Sequence, residues 1–500
     1  MSLPANIDQL SADELRRLLI EQDCELNWRK VKIDKLTHEV AYYKRHYFGV
    51  KAERLPVEQG QLFEETLAAD MAAITEELEQ LSEPKPKGQA KRTPLPPELP
   101  RTEVRHEPDS TTCACGCQMK RIGEEVAEKL DYTPGTFTVE RHIRGKWACS
   151  ECETLVQAPV PAHVIDKGIP TTGLLAHVLI AKYLDHLPLY RQEGIFGRAG
   201  LPIPQSTLAE WVGRMGVTLQ PLVDALKTEM LTYPVLHADE TPVAMLNPGA
   251  GKTHRAYLWS YSIGAFEPVK AVIYDFADSR AGKHAREFLG DWRGTLVCDD
   301  YAGYKALIAD GVTEAGCMAH ARRKFFDLHA NNQSQIAEQA LITIQKLYQV
   351  EREVADLSPD ERQRIRQLQA KPILDEFHDW LTRHRCQVPN GSSTAKAIDY
   401  SLKRWTALAH YIGDGQVPID NNWIENRIRP IATGRKNWLF AGSLRAGKRA
   451  AAIMSLIQSA KLNGHDPFLY LKDILSRLPT QPNSRISELL PHHWQPEISA

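Results

Sequence analysis

The chain has 500 residues, of which 43% are hydrophobic, 25% charged and 8% aromatic. This composition excludes a wholly disordered, collagen-like or membrane-embedded protein and predicts about two to four globular domains. The net charge of −2 comes from 61 basic and 63 acidic side chains, so the average gives no sign of a nucleic-acid partner. The N-terminus lacks a signal-peptide pattern, and no stretch reaches the roughly 20 apolar residues of a spanning helix. We therefore expect a cytoplasmic protein without a membrane partner.

Apolar and aromatic side chains follow a 4,3,4,3 spacing through residues 15–47. This spacing predicts a long amphipathic helix over about residues 11–48. The stripe fits either a coiled-coil dimer seam or packing against the rest of the chain. Residues 51–83 carry nine acidic and two basic side chains, which favours a solvated helical face or spacer. Residues 84–108 contain seven prolines and little to bury, which predicts a linker.

Five cysteines fall within 40 residues, far closer together than the other four in the chain. Thiolates from two short turns can hold one tetrahedral Zn²⁺, and the segment between the turns is typical of paired strands, so we predict a structural zinc ribbon. The upstream spacing is irregular, because Cys113 and Cys115 are separated by one residue while Cys117 lies close behind. The favoured zinc ligands are Cys113, Cys115, Cys149 and Cys152, with a role for Cys117 left open.

Two short helical patterns with a Pro-rich turn between them predict a helix-turn-helix. The first covers about residues 189–199 and ends at Gly200, and the second opens on a capping box from Thr207 to Glu210. The segment fits a DNA-reading motif or a simple helical hairpin. Side chains expected to face the partner helix are Leu208, Trp211, Val212 and Met215, and those expected to point outward are Gln205, Ser206, Glu210 and Arg214.

Acidic residues end two of the predicted buried strands farther along the chain. Residues 233–242 predict a strand that delivers Asp239 at its end, and residues 294–299 predict another that ends at Asp299. Two strands and a helix separate them, and a later helix supplies Glu425 as a third acid. This order is typical of an RNase H-like core. Three converging carboxylates suit Mg²⁺ or Mn²⁺ and can hold two ions for attack on a phosphodiester.

The third acid lies in a strongly basic segment. Residues 421–461 carry eight basic side chains and one acidic side chain, a net charge of +7. Such a segment favours contact with a polyanion beside the metal. The side chains that we expect to bind DNA are Arg427, Arg429, Arg435, Lys436, Arg445 and Lys448.

Four motifs carry a family resemblance: HADETPV at 237–243, CDDYAGY at 298–304, GCMAHARRKF at 316–325 and DNNWIENRIRPIATGRKNWLFAGS at 420–443. On these motifs the chain resembles the insertion sequence 66 family of bacterial DDE transposases. The resemblance implies a catalytic triad that consists of Asp239, Asp299 and Glu425 and selects Asp299 over Asp300. It also implies terminal inverted repeats and target DNA as partners, and small companion proteins. Cys317 and His320 match a CxxH found in related transposases, which we interpret as a structural pair.

The expected fold is a multidomain α/β protein, in which an RNase H-like DDE core with a helical insertion follows a helical N-terminus, a zinc ribbon and a helix-turn-helix. The expected function is a DNA transposase that acts as a homodimer or higher assembly. A nuclease or resolvase without strand transfer, and a zinc-containing DNA-binding regulator, are the alternatives. The predicted regions are a leucine-zipper-like region (1–83), the linker (84–108), the zinc domain (109–160), the helix-turn-helix region (168–230), the two core parts (231–329 and 413–461), the helical insertion (330–412) and a C-terminal region (462–500).

Overall fold

A computed structural model of the protein describes residues 11–48, 57–81 and 95–496, apart from 98, 113, 115, 134, 161, 166–167 and 248–251. The chain forms two compact units. The first comprises residues 1–159 and 189–218, and the second comprises residues 160–188 and 219–500. In the part of the chain that is described, every helix is too short or too polar to cross a membrane.

Seventeen α-helices and nine strands make up most of the regular structure of the described residues. The helices are α1 (Ala12–Phe48), α2 (Val57–Leu81), α3 (Thr172–Tyr183), α4 (Leu189–Arg198), α5 (Gln205–Thr218), α6 (Gln220–Met230), α7 (Lys283–Leu289), α8 (Lys305–Ala309), α9 (Met318–Asn332), α10 (Gln335–Glu353), α11 (Pro359–Ile365), α12 (Lys371–Arg385), α13 (Ser393–Lys403), α14 (Trp405–Ala409), α15 (Asn422–Trp438), α16 (Leu444–Leu462) and α17 (Pro467–Arg477). The strands are β1 (Arg101–His106), β2 (Lys120–Thr133), β3 (Thr136–Ala148), β4 (Leu155–Gln157), β5 (Val235–Met245), β6 (His254–Ile263), β7 (Val272–Ala277), β8 (Thr295–Val297) and β9 (Thr313–Ala315).

The long N-terminal helix predicted from the apolar stripe is present as α1, and it packs against α2. Three leucines of the stripe differ in burial. Leu36 is 3% exposed, whereas Leu19 and Leu26 are 65% and 54% exposed. Leu36 therefore packs within the chain, and Leu19 and Leu26 face solvent.

The acidic segment forms α2, which is more than the solvated spacer that its charge suggested. Ala69, Ala73 and Ile74 are buried because small and apolar residues one helical turn apart form a packing face. This face contacts α5 so closely that a Cβ atom added at Gly213 would lie 2.2 Å from the Ala69 carbonyl oxygen. The acidic face supplies Glu76, which pairs with an arginine of α5 described below.

Helices α4 and α5 confirm the predicted helix-turn-helix order, with Gly200 at a φ of +93° after the first helix. The predicted capping box is wrong, because α5 begins at Gln205 and Thr207 lies inside it. The carbonyl oxygen of Pro204 accepts the N–H groups of Thr207 and Leu208, which starts the helix earlier. The four residues expected to face a partner helix are all buried: Leu208, Trp211, Val212 and Met215. Arg214 does not point freely outward, since its Nη1 lies 2.7 Å from Glu76 Oε2 on α2.

A small sheet in the first unit contains the predicted hairpin, in which β2 and β3 pair antiparallel around Gly135. β4 pairs antiparallel with β3. β1 pairs parallel with β3, so the predicted linker 84–108 ends in a strand rather than running through to Pro108. Arg101 strengthens this attachment, because its guanidinium lies 2.9 Å from the Glu128 carboxylate of β2.

The second unit is built on a five-stranded sheet of order β7-β6-β5-β8-β9. β6 pairs antiparallel with both β5 and β7, while β8 runs parallel to β5 and β9 runs parallel to β8. α16 covers the β7 edge, where the hydroxyls of Ser455 and Ser459 accept N–H groups of Tyr274 and Val272 at 2.8 and 3.0 Å. These bonds satisfy the edge-strand donors and fix the helix to the sheet.

Helices α10–α14 form the predicted insertion between β9 and α15, and their apolar core is continuous with α9 and the sheet through Phe325, Val235 and Val297. Arg366 is fully buried in it and pairs with the Glu351 carboxylate at 2.6 Å. The same guanidinium donates to the carbonyls of Tyr411 and Val417, both at 2.9 Å, which anchors the end of the insertion. The predicted region 168–230 is divided between the units, since α3 and α6 belong to the second and α4 and α5 to the first.

Candidate active site

Asp239 lies on β5, and Asp299 lies just beyond the end of β8, the parallel neighbour of β5. His237 of β5 is in register with Val297 of β8, and each aspartate follows two residues later. Both aspartates therefore lie where the pairing of β5 with β8 ends, and the charge of Asp299 acts on Asp239. Asp239 does not end its strand as predicted, because β5 continues its antiparallel pairing with β6 as far as Met245. What ends near Asp239 is the pairing with β8.

The pKa of Asp239 is affected by both of the other predicted acids. Burial raises the pKa of Asp239 to about 8, and the negative charges of Glu240, Asp299 and Glu425 act in the same direction. The Glu240 N–H donates to Asp239 Oδ1 at 2.8 Å and opposes the shift. The negative charges of these carboxylates are not balanced by nearby basic groups, and a divalent cation would neutralise them. The residues therefore fit Mg²⁺.

Glu425 lies in the first turn of α15, with an acceptor atom left over. Its Oε1 is buried and has no hydrogen-bond partner among the described residues. Two basic side chains lie within 4 Å of the carboxylate: His320, whose Nδ1 is 3.6 Å from Oε1, and Arg323, whose Nη2 is 3.9 Å from Oε2. Because an unsatisfied buried carboxylate oxygen is costly, a metal ligand role at this position is favoured.

The two adjacent aspartates after β8 have different surroundings. Asp300 forms ion pairs with Arg404 at 2.5 Å and with Lys305 at 3.6 Å. Asp299 Oδ1 accepts the backbone N–H of Tyr301 at 3.0 Å. Asp300 is thus held in a salt-bridge network, which favours Asp299 as the residue that faces a metal.

Glu240 forms a second acidic centre that sequence reasoning missed. Its carboxylate is buried, with Arg280 Nε at 2.7 Å from Oε1 and the Tyr304 hydroxyl donating to Oε2 at 2.9 Å. Burial, together with the negative charge of Asp299, raises the pKa of Glu240, while Arg280 and Tyr304 lower it. The signal was present in the sequence, since Glu240 and Tyr304 lie inside the HADETPV and CDDYAGY motifs.

Asn421 was also missed, although it lies within the DNNWIENR motif. It is 1% exposed, and its Oδ1 lies 2.7 Å from His237 Nδ1 while its Nδ2 donates to the Ala238 carbonyl at 2.9 Å. Burial lowers the pKa of His237 to about 4, so the ring is neutral and Nδ1 donates to Asn421. These bonds fix the start of the Glu425 helix to the strand of Asp239.

The CxxH pair lies beside the third acid. Cys317 is the N-terminal cap of α9, and the Asn421 N–H donates to its Sγ at 3.2 Å. His320 follows in the first turn and faces Glu425. The pair therefore contacts the start of α15 as well as the end of β9.

The six basic residues predicted to bind DNA differ in exposure. Arg429, Lys436 and Lys448 are exposed, and Arg445 is half-buried. Arg427 stacks on the Trp423 ring at 3.7 Å from its centroid, and the Arg435 guanidinium donates to the Pro242 carbonyl at 2.5 Å. Arg427 and Arg435 thus have partners within the second unit.

The zinc-ligand predictions at Cys113 and Cys115 lie outside the described residues. Cys149 is 2% exposed and packs with Met119, against which Cys117 also lies. Cys152 is exposed, and hydrogen bonds of the Cys149 N–H to Thr154 and of the Glu153 N–H to the Cys149 carbonyl close a tight turn around it. Two thiols on such a turn fit two of the four ligands of a tetrahedral zinc ion.

Comparison with known families matches nearly the whole chain. Residues 167–449 match the family described as Transposase IS66 family, and residues 455–492 match the IS66 C-terminal element. Residues 110–153 match the zinc-finger binding domain of transposase IS66. Residues 35–104 match a region described as Transposase C of IS166 homeodomain.

Full-length relatives come from Sinorhizobium fredii. The uncharacterized protein y4jD is 35% identical over 96% of this chain and 98% of its own length. The uncharacterized protein y4qI is 36% identical over 93% of this chain and 90% of its own length, and y4hP is 34% identical over 93% and 88%. From the family matches and these relatives together, the chain belongs to the IS66 family of transposases.

Proposed function

We propose that the protein is a DDE transposase that cleaves the ends of its DNA element and joins the exposed 3′-hydroxyls to target DNA. The observation that carries this proposal is that Asp239 and Asp299 both lie where the parallel pairing of β5 with β8 ends, with Glu425 close enough to raise the pKa of Asp239. The strand order β7-β6-β5-β8-β9, with the last two strands parallel to β5, supports an RNase H-like core.

In this mechanism Asp239, Asp299 and Glu425 would hold Mg²⁺ or Mn²⁺. A bound ion would activate water or the 3′-hydroxyl of the DNA as the nucleophile and stabilise the leaving oxygen of an in-line attack. The chain's own contribution is to keep the three carboxylates in place. Asn421 fixes the Glu425 helix to β5, and Arg404 holds the loop that carries Asp299 through its bonds to Asp300 and to the Asp299 carbonyl.

Double-stranded DNA is the proposed partner at several surfaces. Arg429, Lys436 and Lys448 are exposed on the helices next to Glu425 and would contact phosphates. The zinc module and α5 would recognise the terminal inverted repeats, with zinc as a structural ion. The exposed leucines of the α1 stripe, Leu19 and Leu26, support a homodimer seam that would hold two ends together. Companion proteins of the element are part of the same proposal.

The test uses purified protein, labelled element ends, a target plasmid and Mg²⁺ or Mn²⁺. Glu425→Gln should reduce end cleavage by about 100-fold or more while DNA binding is retained, because the amide is a poor metal ligand. The matched control is the exposed neighbour, Asn426→Ala, which should cleave normally. Retained cleavage by Glu425→Gln would remove this residue from the mechanism.

The same assay separates the alternatives. Cleavage without joining of ends to the plasmid would support a nuclease or resolvase. Specific binding of ends without any cleavage, with the companion proteins present, would support a DNA-binding regulator. Joined products with the 3′-ends covalently linked to target would support the transposase.

A further inference from the structure

Two buried polar atoms beside the proposed magnesium site face each other without a partner. His320 Nδ1 and Glu425 Oε1 lie 3.6 Å apart, and neither has a hydrogen bond among the described residues. Leaving two such atoms unsatisfied is energetically unfavourable. The arrangement therefore points to a group that binds between them.

A thiol completes the cluster. The Sγ of Cys317 and the ligand atoms of His320 and Glu425 all lie within 4.8 Å of one another. Around a tetrahedral metal with bonds of about 2.0–2.3 Å, neighbouring ligand atoms are about 3.3–3.6 Å apart, so a side-chain movement of about 1 Å closes the site. The CxxH spacing is what makes this possible, because the cap and third positions of α9 lie on one side of the helix.

The sulfur of Cys317 lies beside the other two ligand atoms but is protonated when no metal is bound. Burial raises the pKa of the thiol to about 12, while the backbone N–H groups of Asn421 and His320 lower it. The Asn421 N–H donates to Sγ at 3.2 Å and would remain in place when a metal displaces the thiol proton. Backbone N–H groups that donate to ligating atoms are the usual outer-shell support of a metal centre.

The three ligand atoms of this cluster indicate which class of metal ion it would bind. Mg²⁺ prefers oxygen ligands only, whereas one sulfur, one ring nitrogen and one carboxylate oxygen suit a borderline-soft ion that accepts three protein ligands and an open fourth position. We propose that Cys317, His320 and Glu425 form a site for a Zn²⁺-class divalent ion, distinct from the ribbon zinc and sharing Glu425 with the magnesium site. On binding, the thiol proton leaves to solvent and sulfur bonds to the metal.

Sharing Glu425 gives the site a regulatory consequence, which rests on the proposed function. A carboxylate held by a Zn²⁺-class ion on the His320 side is withdrawn from Mg²⁺ on the Asp239 side. Micromolar Zn²⁺ should then inhibit cleavage in competition with Mg²⁺. The site itself does not depend on that function and is tested by binding alone.

The experiment is a Co²⁺ titration of the full-length protein whose ribbon is already loaded with one equivalent of Zn²⁺. Wild type should bind one further equivalent and develop a sulfur-to-cobalt charge-transfer band with tetrahedral visible bands. Cys317→Ser should lose the charge-transfer band, and His320→Gln should weaken Co²⁺ binding by about tenfold or more. Cys298→Ser is the matched control, since Cys298 is also buried in this unit but lies outside the cluster.

Each outcome decides the inference. Absence of a second cobalt equivalent in wild type, or a charge-transfer band that persists in Cys317→Ser, would overturn it. If circular dichroism shows that Cys317→Ser does not fold, His320→Gln and Glu425→Gln take its place, and unchanged affinity in both would overturn the site. A wild-type protein that binds cobalt as expected but never cleaves DNA would refute the proposed function and leave the site standing.

Discussion

His237 and Asn421 are 184 residues apart in the chain, yet Nδ1 and Oδ1 of the two side chains meet at 2.7 Å beneath the acidic cluster. The asparagine spans strand and helix, since its amide also donates to Ala238 and its backbone N–H donates to Cys317. One buried residue thus contacts the strand of Asp239, begins the helix of Glu425 and bonds to the CxxH pair.

Asn421→Ala should slow end cleavage by about 10–100-fold and lower the stability by about 1–3 kcal/mol, because it frees the Glu425 helix and leaves the buried His237 N–H donor and Ala238 carbonyl acceptor unpaired. DNA affinity should not change. Single-turnover cleavage, gel-shift binding and urea unfolding measure the three quantities. The neighbouring exposed Asn422→Ala is the control, and an equal loss of cleavage there would contradict a positioning role for Asn421.

Arg404 of the insertion bonds to the loop that carries Asp299. Its side chain is 4% exposed and pairs with Asp300 at 2.5 Å and with Glu314 at 3.0 Å. Arg404→Ala should destabilise the protein by about 1–3 kcal/mol, because it removes the buried cation and leaves Asp300 and Glu314 paired with Lys305 alone. Urea unfolding should show this loss, whereas Arg385→Ala, which removes a solvent-accessible ion pair with Asp399 in the same insertion, should leave the curve nearly unchanged. Equal curves for the two variants would refute the prediction.

The raised pKa of Asp239 predicts a pH dependence of metal-free stability. The folded pKa of about 8 lies above the usual value of 3.8, so ionisation is harder in the fold and stability falls as pH rises from about 4 to about 8. Asp239→Asn should remove this loss, on the order of a few kcal/mol, and melt higher than wild type at pH 8 but not at pH 4. Thermal melts of zinc-loaded protein without Mg²⁺ test it, with the exposed Asp291→Asn as control.

Mg²⁺ extends the same experiment. Added Mg²⁺ should raise the melting temperature of wild type at pH 8 and have little effect on Asp239→Asn, because only the ionised cluster binds it. Similar stabilisation of both proteins would place the Mg²⁺ elsewhere.

The thiols of Cys117, Cys149 and Cys152 do not all lie within 4.8 Å of one another, which favours Cys113, Cys115, Cys149 and Cys152 as the zinc ligands. Cys149→Ser should lose the ribbon zinc, measured as metal per chain by mass spectrometry after gel filtration. Cys117→Ser should retain it, as should Cys24→Ser, which removes an exposed thiol of α1. Loss of zinc in Cys117→Ser would instead make Cys117 a ligand.

The exposed lysines of α15 and α16 predict that DNA affinity depends on salt concentration. Replacing Lys436 and Lys448 by Gln should weaken DNA binding and reduce the slope of log K against log salt by about 0.9 for each phosphate that the protein no longer neutralises. Lys346→Gln, an exposed lysine of the insertion, should leave the slope unchanged. A double variant with the wild-type slope would remove these two residues from the DNA surface.

Local patterns predicted the elements but not the long-range partners. The apolar runs before Asp239 and Asp299 predicted two buried strands, and the structure places those strands side by side. Asn421 and Arg404 could not be found in this way, because their partners lie far along the chain and hydrogen bonding leaves no periodicity. The strand β1 was missed for the same reason, since its prolines suggested a linker and its pairing partner lies in β3.

The chain passes between the two units three times, because α4 and α5 belong to the first unit although they lie between α3 and α6 of the second. A truncated chain that begins after residue 159 would keep α5 but lose α2, and would expose the face around Gly213 and Trp211. The amino-terminal region therefore cannot be removed without exposing α5. Replacing it with another domain by fusion at residue 159 would break the packing between α2 and α5.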